Sequence, residues 1–384
     1  MPCLGHPYDQ LLSFTSYLIF GASNVSRGGG GETNRGVGLV CDAHLKNLSS
    51  MLWVLSLFFS IAAAHSQGHE NDLARFVPSA FTTALNAAAS VSLNVTAGVD
   101  GQYVTASVNN PAFKPKGDFI AMYLADVDPT TTVPLKWTYM VPYIPTYPID
   151  GTGNVTFQIY NVRAPIVFYL CTGSTSKPTL IASSPKITFD NDAPVRPRVL
   201  PGSKSGDFAI AWTTSESSAT SSSPTLKYRV GGTPGSPMPN SVPATPGYVR
   251  KADLCGAPAN TVGWMDLGAT VTAQLPGLAA TAAGKTVFYA LTDSTHTSEE
   301  YSFVVPPLPG QGTYPFTFVA FGDLGRGSFD DGVTWSEYGG ASKNTSFWLA
   351  KETSASFVTH FGDISYAGKA FYSLLLHHLA LFLT

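Results

Sequence analysis

The chain has 384 residues, enough for two or three domains at the usual size of roughly 100–200 residues each. Its formal net charge is −3 and no basic block interrupts it, which excludes a nucleic-acid surface built on clustered Lys and Arg. Only 12% of residues are charged against 44% hydrophobic, with 36 Gly and 28 Pro, so a disordered chain and a bundle of long solvated helices are both excluded.

Residues 1–50 carry neither periodicity nor motif beyond GGGGE at Gly28–Glu32, and read as an uncertain leader or a misassigned start. From Met51 the chain runs MLWVLSLFFSIAAAHSQ, apolar from Leu52 to Ala64 and ending in small residues. Residues 51–66 therefore read as a secretory signal peptide, with Met51 as the biological start and a secreted product. The apolar run is shorter than the roughly 20 residues of a membrane span. An internal signal-anchor or an ordinary buried segment are the alternatives. Removing this stretch leaves Cys171 and Cys255, which could form one disulfide, remain buried thiols, or pair outside the chain. Sequons at Asn94, Asn154 and Asn344 fit glycosylated surface turns.

From 67 to 194 the pattern is strand-like. Gln102–Val108 (QYVTASV), Phe119–Leu124 (FIAMYL), Val155–Ile159 and Ile166–Leu170 (IVFYL) alternate or run apolar in short bursts between turn residues. This predicts an immunoglobulin-like β-sandwich. A proline-rich joint, Pro194 to Pro201, leads into a second set of strands at Asp207–Thr213, Thr225–Val230 and Thr286–Leu291. Residues 195–312 read as a fibronectin-III-like sandwich.

The character changes in 313–384. Phe316–Phe321 (FTFVAF) and Ser356–Phe361 (SFVTHF) are continuous apolar runs, the pattern of strands buried on both faces, and Ala341–Glu352 between them reads as a helix. Strand, helix and strand over this length predict a βαβ crossover and the start of a parallel sheet. Both runs end alike, in Gly322-Asp323-Leu324-Gly325 and in Gly362-Asp363-Ile364-Ser365-Tyr366. In open α/β sheets ligand-binding groups collect at the carboxyl ends of the strands. Two carboxylates brought together there repel unless a cation lies between them, and Tyr366 is near enough in sequence to add a hard phenolate suited to Fe(III).

GDLG at 322–325 followed by GDISYA at 362–367 resembles the first two of five metal-ligand motifs of the purple acid phosphatases. Gly325 and Tyr366 stand where the wider metallophosphoesterase superfamily differs from the purple branch. Asp253-Leu-Cys-Gly-Ala-Pro-Ala259, Gly263-Trp-Met-Asp266, Arg163 in IYNVRAPIVFYL, Ala193–Arg198 and Ala211-Trp212-Thr213 are similar to stretches of the large plant-type subgroup. The resemblance implies two N-terminal β-sandwiches followed by the start of an α/β metallophosphoesterase domain. It further implies Asp323 as an Fe(III) ligand, Asp363 as a bridging ligand and Tyr366 as the Fe(III) phenolate ligand. The cofactors it implies are Fe(III) and a second divalent metal (Fe, Zn or Mn), and the substrate is a phosphate ester hydrolysed at acidic pH. A homodimer is compatible with it.

The family's later GNH(D/E), VxxH and GHxH motifs do not follow, and no catalytic residue is identified. His377 and His378 lie in an apolar run without the required flanks, and His360 reads as a packing or hydrogen-bonding residue. The expectation is a family member that stops after the second metal motif and is inactive as given. The alternative is a non-enzymatic secreted β-sandwich binding protein or a truncated gene product.

Overall fold

The computed structural model describes residues 21–22, 43–44 and 76–364, apart from 113–116, 142–143, 255, 257–259, 262–263, 309, 312–316, 325–329 and 333–338. The signal-peptide reading of 51–66 and the segment 365–384, with Tyr366, His377 and His378, lie outside the described residues. Gly21–Ala22 (β1) and Ala43–His44 (β2) form a short antiparallel pair.

The first unit is a two-sheet sandwich. Its larger sheet has the order β3-β11-β10-β7-β8: Thr82–Thr83, Lys177–Ser183, Ile166–Ser174, Phe119–Leu124 and Lys136–Tyr139. The facing sheet is β4 (Ser90–Leu93), β6 (Tyr103–Asn109) and β9 (Thr152–Gln158), in that order. A small parallel pair joins β5 (Ala97–Gly98) to β12 (Thr188–Phe189), and a single helical turn, α1 (Tyr147–Asp150), precedes β9.

Sequence pattern explains which sheet is covered twice. Strand β6 alternates, burying Val104, Ala106 and Val108 toward the other sheet and leaving Tyr103 exposed. Strand β7 is apolar throughout because both of its faces are covered. Ile120 and Met122 enter the core between the sheets with Phe157, Phe168 and Leu170. Phe119, Ala121 and Tyr123 enter a second, aromatic cluster with Phe76, Phe81 and Trp137. In that cluster Phe76 meets Trp137 edge-on at 5.3 Å and Phe119 at 5.9 Å, the offset geometry that ring quadrupoles favour.

The second unit is one curled sheet in the order β13-β14-β17-β16-β15-β18-β19. Its strands are Val195–Pro201, Phe208–Thr214, Ala269–Leu275, Asn240–Gly247, Thr225–Val230, Thr286–Thr292 and Tyr301–Val304. Helices α2 (Glu216–Ser221) and α3 (Leu278–Ala282) lie in its connections. Strand β16 turns the corner: Asn240–Pro243 pair with β15, while Ala244–Gly247 pair with β17. Ile210, Trp212, Val271, Leu226, Val287 and Leu291 thereby meet in one core.

The proline-rich joint is itself the edge strand β13 of that sheet. Proline lacks a donor for the ladder and is tolerated at an edge or a bulge, and both conditions hold here. The register shifts between Val195 and Arg198, where Arg196 adopts φ +60°.

The third unit is the expected crossover. Thr317–Leu324 (β20) and Ala355–Ile364 (β21) pair in parallel, joined through helix α4 (Gly339–Lys351). Burial differs from the expectation of strands covered on both faces. Phe357 and Val358 are exposed, as are Phe347 and Trp348 on α4. Among the described residues two strands and one helix leave these apolar side chains with too few neighbours to cover them.

Candidate metal centre

In a parallel pair both strands run the same way, so their carboxyl ends meet at one edge. The register places Gly322 opposite Phe361 and Leu324 opposite Ile364. One residue of β20, Asp323, therefore faces two of β21, Gly362 and Asp363, in a β-bulge at the rung where both apolar runs finish. The backbone thus brings Asp323 and Asp363, forty positions apart in the chain, to neighbouring places on one sheet edge. Tyr366, the third residue expected there, lies outside the described residues. Two rungs earlier, the His360 ring stacks on Phe321 with centroids 4.7 Å apart.

The connection after β20 is held by a contact that pattern reading does not find. Asp330 Oδ2 accepts from Lys136 Nζ at 2.6 Å and from the Gln158 backbone N–H at 2.7 Å. Both side chains are out of solvent, Lys136 at 7% exposure and Asp330 at 0%. Burial pulls the Lys136 ammonium below its ordinary pKa, and the adjacent Asp330 carboxylate counters part of that shift. Next to it, Asp331 exchanges two hydrogen bonds with Thr156: its N–H donates to the Thr156 carbonyl at 2.8 Å and its Oδ2 accepts from the Thr156 N–H at 2.6 Å. The only local signal is the turn-forming sequence Asp-Asp-Gly at 330–332.

Several residues that carried the resemblance join the two sandwiches. Arg163, at φ +61°, donates from Nη1 to the carbonyls of Asn191 (2.6 Å) and Ala193 (2.9 Å), and from Nη2 to that of Thr213 (2.8 Å). Arg196 donates from Nη2 to Asp100 Oδ1 at 2.6 Å and to the Asn161 carbonyl at 2.7 Å. Burial, with Arg196 nearby, lowers the Arg163 pKa to about 10, still well charged at neutral or acidic pH. His296 reaches from the β18–β19 connection to Asp190 of the first unit, Nε2 to Oδ2, at 3.1 Å. Met265, in the Gly-Trp-Met-Asp stretch, packs against the core of the first sandwich.

Cys171 is a free thiol, wholly buried on the central strand β10 in the aromatic cluster, where burial pushes its pKa up. Cys255, the other cysteine of the possible disulfide, lies outside the described residues. The three sequon asparagines are all exposed, but only Asn94 lies in a bend. Asn154 is on strand β9 and Asn344 on helix α4, which corrects the expectation of surface turns for these two. Among the described residues no group of three or more His, Cys, Asp or Glu gathers as a metal cluster, and no helix is long and apolar enough to cross a membrane.

A family model described as the Fn3-like domain from Purple Acid Phosphatase matches residues 87–191. That span lies within the first sandwich, so the fibronectin-III-like description expected for 195–312 falls on the first unit instead. Three Arabidopsis thaliana proteins are similar. "Probable inactive purple acid phosphatase 1" is 33% identical over 240 residues, 62% of this chain and 38% of the relative. "Probable inactive purple acid phosphatase 27" is 30% identical over 70% of this chain and 46% of the relative. "Probable inactive purple acid phosphatase 24" is 28% identical over 83% of this chain and 55% of the relative. Among solved structures, a purple acid phosphatase from yellow lupin (Lupinus luteus) seeds matches with TM-score 0.66 and 26% identity, covering 77% of this chain and 54% of that one. The chain thus spans about half the length of these relatives, between 38% and 55%.

Proposed function

The chain belongs to the purple acid phosphatase family, and from that premise we propose that it is a secreted, catalytically silent member retaining the opening half of a phosphatase metal site. The observation carrying this reading is the bulged rung that sets Asp323 and Asp363 side by side at the carboxyl edge of a parallel pair. In this reading Asp323 would hold Fe(III), Asp363 would bridge toward a second divalent metal, and Tyr366 would supply the phenolate oxygen. When bound, such a metal pair supplies Lewis-acid activation of a phosphate ester and a hydroxide nucleophile.

The residues at hand do not fit a complete two-metal centre. Three candidate ligands, Asp323, Asp363 and Tyr366, are too few to fix the coordination of two metal ions. The sequence after Asp363 contains no asparagine–histidine or histidine pair with the family's spacing. The relatives' names, each a probable inactive purple acid phosphatase, support assigning no hydrolytic step to this chain. The exposed asparagines Asn94, Asn154 and Asn344 are the positions we assign to glycans in a secreted product.

Metal stoichiometry tests the proposal. The chain, produced through a secretory pathway, is incubated with Fe(III) and Zn(II), desalted, and its metal content measured. At most one iron per chain is expected, held weakly and lost on Asp323→Asn. Two metals per chain, retained through desalting, would contradict it.

A further inference from the structure

We propose that the first sandwich is an intramolecular receptor for the Asp330–Asp331 turn, and that this docking fixes the connection between β20 and α4 against the edge of β9. The proposal concerns chain organisation and stands whether or not a metal binds at Asp323.

Strand β9 is the outer strand of the sheet β4-β6-β9. Val155 and Phe157 oppose Ala106 and Val104 of β6, and the bonds from Ile159 N–H to the Gln102 carbonyl and from Gly101 N–H to the Ile159 carbonyl fix which residues face that partner. Thr156 and Gln158 then direct their backbone groups outward, the unpaired row that an edge strand ordinarily presents to solvent or to another chain.

Here all four of those groups are met. The Thr156 N–H and carbonyl are taken by Asp331, and the Gln158 N–H by Asp330. The Gln158 carbonyl accepts from Lys136 Nζ at 2.8 Å. The same ammonium donates to Asp330, so an amide and a cation converge on one carboxylate oxygen. The other oxygen, Oδ1, accepts from the Gly332 N–H at 3.0 Å, and a Cβ at residue 332 would come within 2.9 Å of it. The turn is therefore shaped by its own sequence to present both carboxylates to one strand edge. Lys136 also lies over the Tyr160 ring at 5.4 Å, with Arg196 over the same ring at 5.9 Å, so this dock adjoins the joint between the two sandwiches.

A surface ion pair would carry little information, but this one is dry and spans 194 residues of sequence. Removing one partner leaves the other charge buried and uncompensated, so the two should act as a unit.

Amide-resolved hydrogen exchange on the full chain tests this, with variants Lys136→Met, Asp330→Asn, their combination, and Asp331→Ala on the exposed turn. Each single change should speed exchange at Thr156 or Gln158 by roughly ten- to hundredfold, the range set by losing a charge-assisted hydrogen bond. Val155 and Phe157, facing β6, should keep their rates. The combined variant should be no faster than the faster of its two parents. Unchanged rates at Thr156 and Gln158, acceleration spread evenly over the sandwich, or additive effects in the combined variant would each overturn the proposal.

Discussion

Asp293 lies in the turn after β18 with its side chain only 4% exposed. Burial by itself would raise its pKa, but hydrogen bonds from Thr295, Ser218 and the His296 backbone outweigh that and hold it at about 2, below the ordinary 3.8. A carboxyl depressed in the folded state adds stability above its unfolded pKa and loses it as pH falls through the folded one. The shift corresponds to about 2 kcal/mol, present at neutral pH and disappearing between about pH 4 and pH 2. Asp293→Asn should therefore cost about that much at pH 7 and almost nothing at pH 2, read by chemical unfolding at both pH values. Equal losses at both would show that the carboxylate charge is not what stabilises the turn. Arg196 offers a second check, since its guanidinium is 1% exposed and paired with Asp100. Asp100→Asn should cost about 3 kcal/mol by leaving a buried cation short of its partner, and unfolding curves would measure it.

Among elements, legibility followed the range of the interaction that decides each one. The alternation of QYVTASV announced a one-sided strand because only the neighbouring sheet covers β6. The run FIAMYL was legible as a short apolar strand but its cover on both faces was not, because Phe76 and Trp137, which supply the second cover, lie elsewhere in the chain. The aspartates at the ends of β20 and β21 were visible because a Gly-Asp pair follows each apolar run, and the parallel register is what makes them neighbours. The β13 strand was not visible, since prolines suggest a linker unless the strand is known to be an edge. Nor was the Lys136–Asp330 dock, because no local pattern links positions 194 residues apart. The partly exposed βαβ unit yields its own expectation. Backbone amides in 317–322 and 357–361 should exchange faster than those in 119–124 and 166–171, where both faces are buried. Comparable protection in the two pairs would contradict the burial difference. On α4, Trp348 is 66% exposed, so Trp348→Lys should change stability by no more than about 0.5 kcal/mol while reducing aggregation, measured by unfolding and light scattering.

At the scale of the molecule, the two sandwiches are joined by two arginines, Arg196 buried and Arg163 half-buried, rather than by a free tether. Arg163 holds the carbonyls of residues 191, 193 and 213, and Arg196 ties the edge strand β13 back to Asp100 and Asn161 of the first unit. The turn at 330–332 then ties the βαβ unit to the same first sandwich. The family relationship rests on the first sandwich, where the family model matches residues 87–191, and on relatives of whose length this chain spans between 38% and 55%.

The most direct test is hydrolysis of a chromogenic phosphate monoester at acidic pH by the purified chain, supplied with Fe(III) and Zn(II), beside an Asp363→Asn control. The account predicts no turnover above the metal-only blank and no difference between the two proteins. Turnover by the unaltered chain that is abolished in Asp363→Asn would contradict it and would require ligands beyond Asp323, Asp363 and Tyr366.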